Sequence, residues 1–169
     1  MIKVIYKNSE VGETTGILLS CAQKIGILQV VEDFCPDAIE IFVLDKVKKI
    51  AKGKREKIYH KIYKDSEYYQ EAGAFIKGGS LQEIFKAMRR LGHLVIIESV
   101  YEDEYYFDIG AIKRVTKESV SLRYFDATGE WDDSNVVIDY DAITCVKYGG
   151  RYSTQWKKIP QQILSLIAM

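Results

Sequence analysis

One phrase occurs twice in this chain, and it constrains the fold more than any other feature. Residues 43–56 read VLDKVKKIAKGKRE, and residues 139–152 read DYDAITCVKYGGRY. Laid over each other at a spacing of 96, Asp45 meets Asp141, Gly53 meets Gly149 and Arg55 meets Arg151. Val47 and Ile50 meet Ile143 and Val146. Upstream, Gly16 matches Gly110 at a spacing of 94, and Asp33 matches Asp126 at 93. Small changes in loop length produce that drift.

The segments preceding each copy correspond in order. In the second, FDIGAIKRV places Phe107, Ile109 and Ala111 on one side of an extended chain. SVSLRYFD then alternates, with Val120, Leu122 and Tyr124 inward and Ser119, Ser121 and Arg123 outward. NVVIDY and AITCVKY follow, rich in β-branched residues and divided by turn formers. TGILLSCA, GILQVVED, AIEIFVLD and KVKKIAK give the first copy the same succession. Five short strands bury an apolar face by curling into a small barrel, and a glycine in the second strand lets it turn the corner. The expectation is therefore a mainly β chain with helices (α+β): two tandem five-stranded small barrels joined by a helical linker. The first barrel with a basic helix spans residues 1–64, the linker 65–92, and the second barrel with a C-terminal helix 93–169.

Helical signals fall between and after the copies. Ser80 and Glu83 form an S-x-x-E capping box, Gly92 supplies a stop, and Leu81, Ile84, Phe85, Met88 and Leu91 make one apolar stripe. The stretch 53–64 reads as a second helix with Ile58 and Ile62 inward. Pro160 divides the tail before an apolar helix with Ile163, Leu164, Leu166 and Ile167.

This pattern resembles the small-barrel superfamily of Sm-like and SH3-like folds, and more closely bacterial small-barrel proteins of unassigned role. The resembling motifs are the G-E-W-D turn at Gly129–Asp132 and the GGRY end at Gly149–Tyr152. The Sm comparison implies RNA binding, yet the base-holding residues are missing. Thr116 and Ser119–Val120 stand where an Asp and an Asn are expected, and AITCVK lacks the later Arg-Gly.

Motifs for chemistry are absent or broken. GAFIKGGS, residues 73–80, has Gly79 where a phosphate-binding loop needs its lysine. The carboxylates of DATGEWDD, residues 126–133, lack calcium-loop spacing and read as a solvated hairpin turn. His60 and His93 have no second ligand at metal spacing, and no nucleophile or acid–base signature appears. No cofactor or metal is expected. Cys21, Cys35 and Cys145 are odd in number and form no C-x-x-C pair, which fits reduced thiols; Cys21 and Cys145 fall in strands, where small thiols are commonly buried. No apolar run approaches the roughly 20 residues of a membrane span, and the start lacks a secretion signal's apolar core. The expected address is the cytoplasm.

The zero net charge hides a separation. Residues 46–64 hold nine Lys or Arg and one Glu, whereas residues 98–141 hold twelve Asp or Glu against four Lys or Arg. The acid-flanked tyrosines of YEDEYYFD suit protein contact better than phosphates. AIEIFVLD is apolar on both faces, which marks an interface between barrels or subunits. The reading is a non-enzymatic binding protein with a protein partner or self-association, using Tyr105, Tyr106, Trp131, Arg151 and Tyr152. The alternative is RNA or single-stranded DNA bound by Lys48, Lys49, Lys52, Lys54, Arg55 and Lys57, with Tyr59 and Tyr63 stacking on bases. A structural reading of the repeated Arg55 and Arg151 pairs each with Asp45 or Asp141.

Overall fold

Alternating and β-branched segments become ten strands in the computed structural model, which describes residues 1–32, 35–63, 79–125 and 130–155. In chain order these are β1 (Ile2–Tyr6), β2 (Glu13–Ala22), β3 (Ile25–Glu32), β4 (Cys35–Val43), β5 (Val47–Ala51), β6 (Leu94–Tyr101), β7 (Glu104–Val115), β8 (Ser119–Phe125), β9 (Trp131–Asp139) and β10 (Ile143–Tyr148). Helices α1 (Lys54–Tyr63) and α2 (Leu81–Leu91) lie between β5 and β6. Short 3-10 turns at Leu44–Lys46 and Tyr140–Ala142 precede β5 and β10, and residues 151–155 are helical.

All ten strands belong to one antiparallel sheet, in the order β5-β1-β2-β3-β4-β10-β6-β7-β8-β9. This corrects the expectation of two five-stranded barrels. To close the first, β4 would have to meet β5; it pairs with β10 instead. The physical reason lies in the doubly apolar strand that the sequence flagged. Ile41 and Phe42 point to opposite faces of β4 and are both fully buried, and their ladder partners Val146 and Cys145 are too. The interface is thus met inside the chain, along a β4–β10 seam. There β10 spends both rows of backbone groups, one on β6 and one on β4.

Gly16 and Gly110 occupy matching places in this sheet. A methyl group added at either would run into a backbone carbonyl oxygen, that of Gln29 or of Arg123. A register shift follows two residues later in each strand, between Leu18 and Ser20 and between Ile112 and Arg114. The glycines therefore permit close strand approach next to a bulge.

Helix α2 forms where the local signals place it. Ser80 Oγ accepts from Glu83 N, Glu83 Oε2 accepts from Gly79 N, and Gly92 ends the helix at φ 68°. Ile84, Phe85 and Met88 are fully buried with Val95, Ile97, Leu122, Ile138 and Val146 in the largest core cluster, whereas Leu91 is exposed. Burying each such side chain contributes about 1.5–3 kcal/mol.

Helix α1 turns the other way from expectation. Glu56 Oε2 accepts from Gly53 N at its start, and Tyr59 and Tyr63 pack on Met1, Ile17 and Val31. Ile58 and Ile62 are exposed. Both pairs have i,i+4 spacing, and the larger tyrosine rings bury more area.

Residue 64 and the part of the linker at residues 65–78 lie outside the described residues, as do Asp33, Asp126, Gly129 and the C-terminal tail from residue 156. No helix among the described residues is long and apolar enough to cross a membrane.

Candidate functional site

Ladder partners in an antiparallel sheet share a face, so the seam's register assembles its side chains in rows. One row runs Glu40–Lys147–Ile96–Ile109 across β4, β10, β6 and β7. The next runs Phe42–Cys145–Glu98–Phe107. Lys147 therefore stands between two carboxylates, with Nζ 3.4 Å from Glu40 Oε2 and 2.6 Å from Glu98 Oε1. Tyr6 donates its hydroxyl to Glu40 Oε1 at 2.5 Å, and Thr14 donates to Oε2 at 3.0 Å. On the other side Tyr105 donates to Glu98 Oε2 at 3.1 Å. Both ends of the chain's fold thus contribute to one ionic cluster.

Burial sets the electrostatics. The Glu40 side chain is fully buried, and desolvation holds its carboxyl above the usual range, although Lys147, Tyr6 and Thr14 pull it down. Burial lowers Lys147, but the Glu40 and Glu98 carboxylates beside it outweigh that and the ammonium is held charged. The Cys145 thiol is raised by burial, and so are the Tyr6 and Tyr105 hydroxyls. Cys145 stays a thiol and Lys147 an ammonium, so the cluster holds charges in place and offers neither as a nucleophile.

Two pockets meet over Lys147. One, of about 390 Å³, has Glu13, Thr14, Glu32, Asp37 and Arg55 on its walls. The other, of about 330 Å³, is formed by Asp37, Ile96, Phe107, Tyr148 and Tyr152. Phe107 meets Tyr152 edge-on, with ring centroids 6.3 Å apart. Arg151 borders this region: its Nε and its backbone N–H reach Asp37 Oδ1 at 3.3 and 2.8 Å, and Nη2 lies 3.7 Å from Glu32.

The residues expected at the protein contact therefore divide. Tyr105, Arg151 and Tyr152 gather around the Lys147 groove. Tyr106 lies on the opposite face of β7 from Tyr105, edge-on to Tyr101 at 5.8 Å, and donates to Glu104. Trp131 begins β9, under the Arg123 guanidinium at 5.3 Å. Phe107 and Lys147 complete the groove. In the sequence they read as ordinary strand residues, and only the β10–β6–β7 register shows that they converge.

The tip of the β6–β7 hairpin is unusual. Its last ladder pair is Tyr101–Glu104, leaving Glu102 and Asp103 as a two-residue turn with φ of 48° and 70°. Positive φ at both central positions is the turn that favours Asn-Gly, and a glutamate there is strained. Tyr106 and Phe107 are each 43% exposed on the two faces of this hairpin.

On the basic side, Lys48 and Lys49 lie on β5, Lys52 follows it, and Lys54, Arg55 and Lys57 open α1; all are exposed. Tyr59 and Tyr63 are buried, which removes the base-stacking platform. The repeated arginines do not pair with the repeated aspartates. Arg55 lies over the Tyr59 ring at 5.1 Å, and Arg151 uses Asp37 and Glu32. Asp45 is 4.0 Å from Lys24 and joins Asp141 in a separate pocket of about 430 Å³. Cys21 is exposed rather than buried, as is Cys35. His93 packs against Tyr148 at 4.9 Å, and among the described residues no cluster of three His, Cys, Asp or Glu is placed to hold a metal. Residues 73–78 of the broken phosphate-loop motif and residues 126–129 of the acidic turn lie outside the described residues. No model of a known protein family, no curated protein and no solved structure matches the chain.

Proposed function

We propose that this chain is a non-enzymatic binding protein whose second half docks a basic polypeptide segment along the β6–β7 hairpin and the adjoining Lys147 groove. The observation that carries the reading is the strained acidic tip. Glu102 and Asp103 hold left-handed conformations, with Glu104 beside them and Tyr106 and Phe107 exposed behind them. Aromatic rings supply contact area at little conformational cost, and the carboxylates select positive charge.

Anisotropy of a labelled Lys/Arg-rich peptide with one aromatic residue tests this, against its acidic counterpart. The basic peptide binds saturably and less tightly in salt, and Phe107→Ser abolishes the binding. Equal affinity for both peptides, or none for either, contradicts the reading. Salt-sensitive binding of single-stranded RNA or DNA that is lost in Lys52→Glu/Lys54→Glu/Lys57→Glu transfers function to the basic stretch.

We also infer that the two sets of five strands descend from one repeated unit, as segments of a sheet rather than closed barrels. Three observations support it. Counted from its own first strand, each set has the order 5-1-2-3-4. The close-packed glycines and their bulges recur 94 residues apart. The 3-10 turns recur at 96.

A further inference from the structure

The sheet ends in two edges, β5 and β9, each with one neighbour among the described residues. We propose that these edges join copies of the chain: β9 of one copy pairs antiparallel with β5 of the next, in the register of the internal seam. The register rests on the repeat inferred above; the surface itself is separate from the hairpin site.

At a spacing of 96, β9 overlays β4 and β10 overlays β5, so the pair β9–β5 is the counterpart of β4–β10. At the seam, Ile41 faces Val146, and both are fully buried. Their counterparts are Val137 on β9 and Ile50 on β5, which are 62% and 44% exposed. The apolar pair that closes the internal seam therefore reappears, uncovered, at the two ends of the sheet. Lys49 would stand opposite Ile138, and Ala51 opposite Val136.

Charge chooses the partner edge. Residues 46–54 carry five lysines and no acid, and residues 130–141 carry five carboxylates and no Lys or Arg. Exposed charge on an edge normally keeps strands from pairing. Here β5 repels β5 and β9 repels β9, while β5 attracts β9, so the like-with-like arrangements are excluded and the head-to-tail one is selected. A head-to-tail contact adds copies in succession, giving a ring if the rotation closes and an open filament if it does not.

Light-scattering mass of the full chain, measured across protein concentration at low and high salt, tests the proposal. The expected mass rises with concentration at low salt and returns to a single chain as salt screens the edges. Ile50→Glu and Val137→Glu, both at exposed positions and facing each other in this register so that the two altered edges repel, each yield a single chain on their own. Mixed together they form a two-chain species and stop there, because each contributes one intact edge. A wild-type chain that stays single under all conditions overturns the proposal. So does a mixture that fails to pair, or loss of assembly in only one of the two variants, the mark of a contact between identical edges.

Discussion

Replacing Lys147 by Met keeps the shape of the seam and removes the cation from its centre. Its contacts, 2.6 Å to Glu98 and 3.4 Å to Glu40, are each worth roughly 5–6 kcal/mol at an effective dielectric of about 20, before desolvation of the lysine is subtracted. The Lys147 side chain is 26% exposed, so part of that attraction is screened. Breaking a buried pair leaves uncompensated charge and costs about 3–5 kcal/mol; partial exposure puts Lys147→Met near the lower end, about 3 kcal/mol. Tyr6, Thr14 and Tyr105 still donate to the two carboxylates, which favours local loss over collapse. Urea unfolding followed by circular dichroism reads the difference. The loss is larger at pH 8 than at pH 5, where a proton neutralises the buried Glu40 carboxyl more cheaply, and adding Glu40→Gln recovers part of it. A loss below about 1 kcal/mol that does not vary with pH refutes the reasoning, since the cluster would then be solvated rather than buried.

Three further outcomes follow from the same geometry. Burial raises Glu40 in the folded chain, so its contribution to stability is complete below the unfolded carboxyl value of about 4.3 and is lost as pH rises through the folded value. Glu40→Gln removes that slope, and the variant's stability relative to wild type is therefore better at pH 8 than at pH 4 in urea titrations. Glu102→Asn/Asp103→Gly relieves the left-handed turn and stabilises the chain by about 1 kcal/mol while weakening the basic peptide, so thermal unfolding and anisotropy move in opposite directions. Gly110→Ala drives a methyl into the Arg123 carbonyl oxygen and costs about 3 kcal/mol, measured by thermal unfolding; a neutral effect would mean β7 and β8 are not this close.

What the sequence showed and what it hid divide along local and non-local physics. Helix α2 was legible because Ser80, Glu83 and Gly92 act within one turn of themselves. The strands were legible from alternation, and the doubly apolar β4 announced an interface. Its partner was not legible: any of several strands would satisfy Ile41 and Phe42, and only the tertiary structure chooses β10 over β5. The inward face of α1 was ambiguous because Ile58–Ile62 and Tyr59–Tyr63 share one spacing. The ionic cluster was invisible because Glu40, Glu98 and Lys147 look like the outward polar residues of alternating strands. They are inward because β4, β10 and β6 lie side by side, which no local pattern encodes. Of the expected contact residues, Tyr105, Arg151 and Tyr152 converge, whereas Tyr106 and Trp131 stand elsewhere on the second half.

The seam makes the two sets of strands one cooperative unit, and native-state hydrogen exchange tests this most directly. Core amides of β1–β4 and of β6–β10 are expected to exchange with the same free energy, and Lys147→Met to lower both by the same amount. Two distinct exchange free energies, with the substitution felt in one set alone, would contradict it.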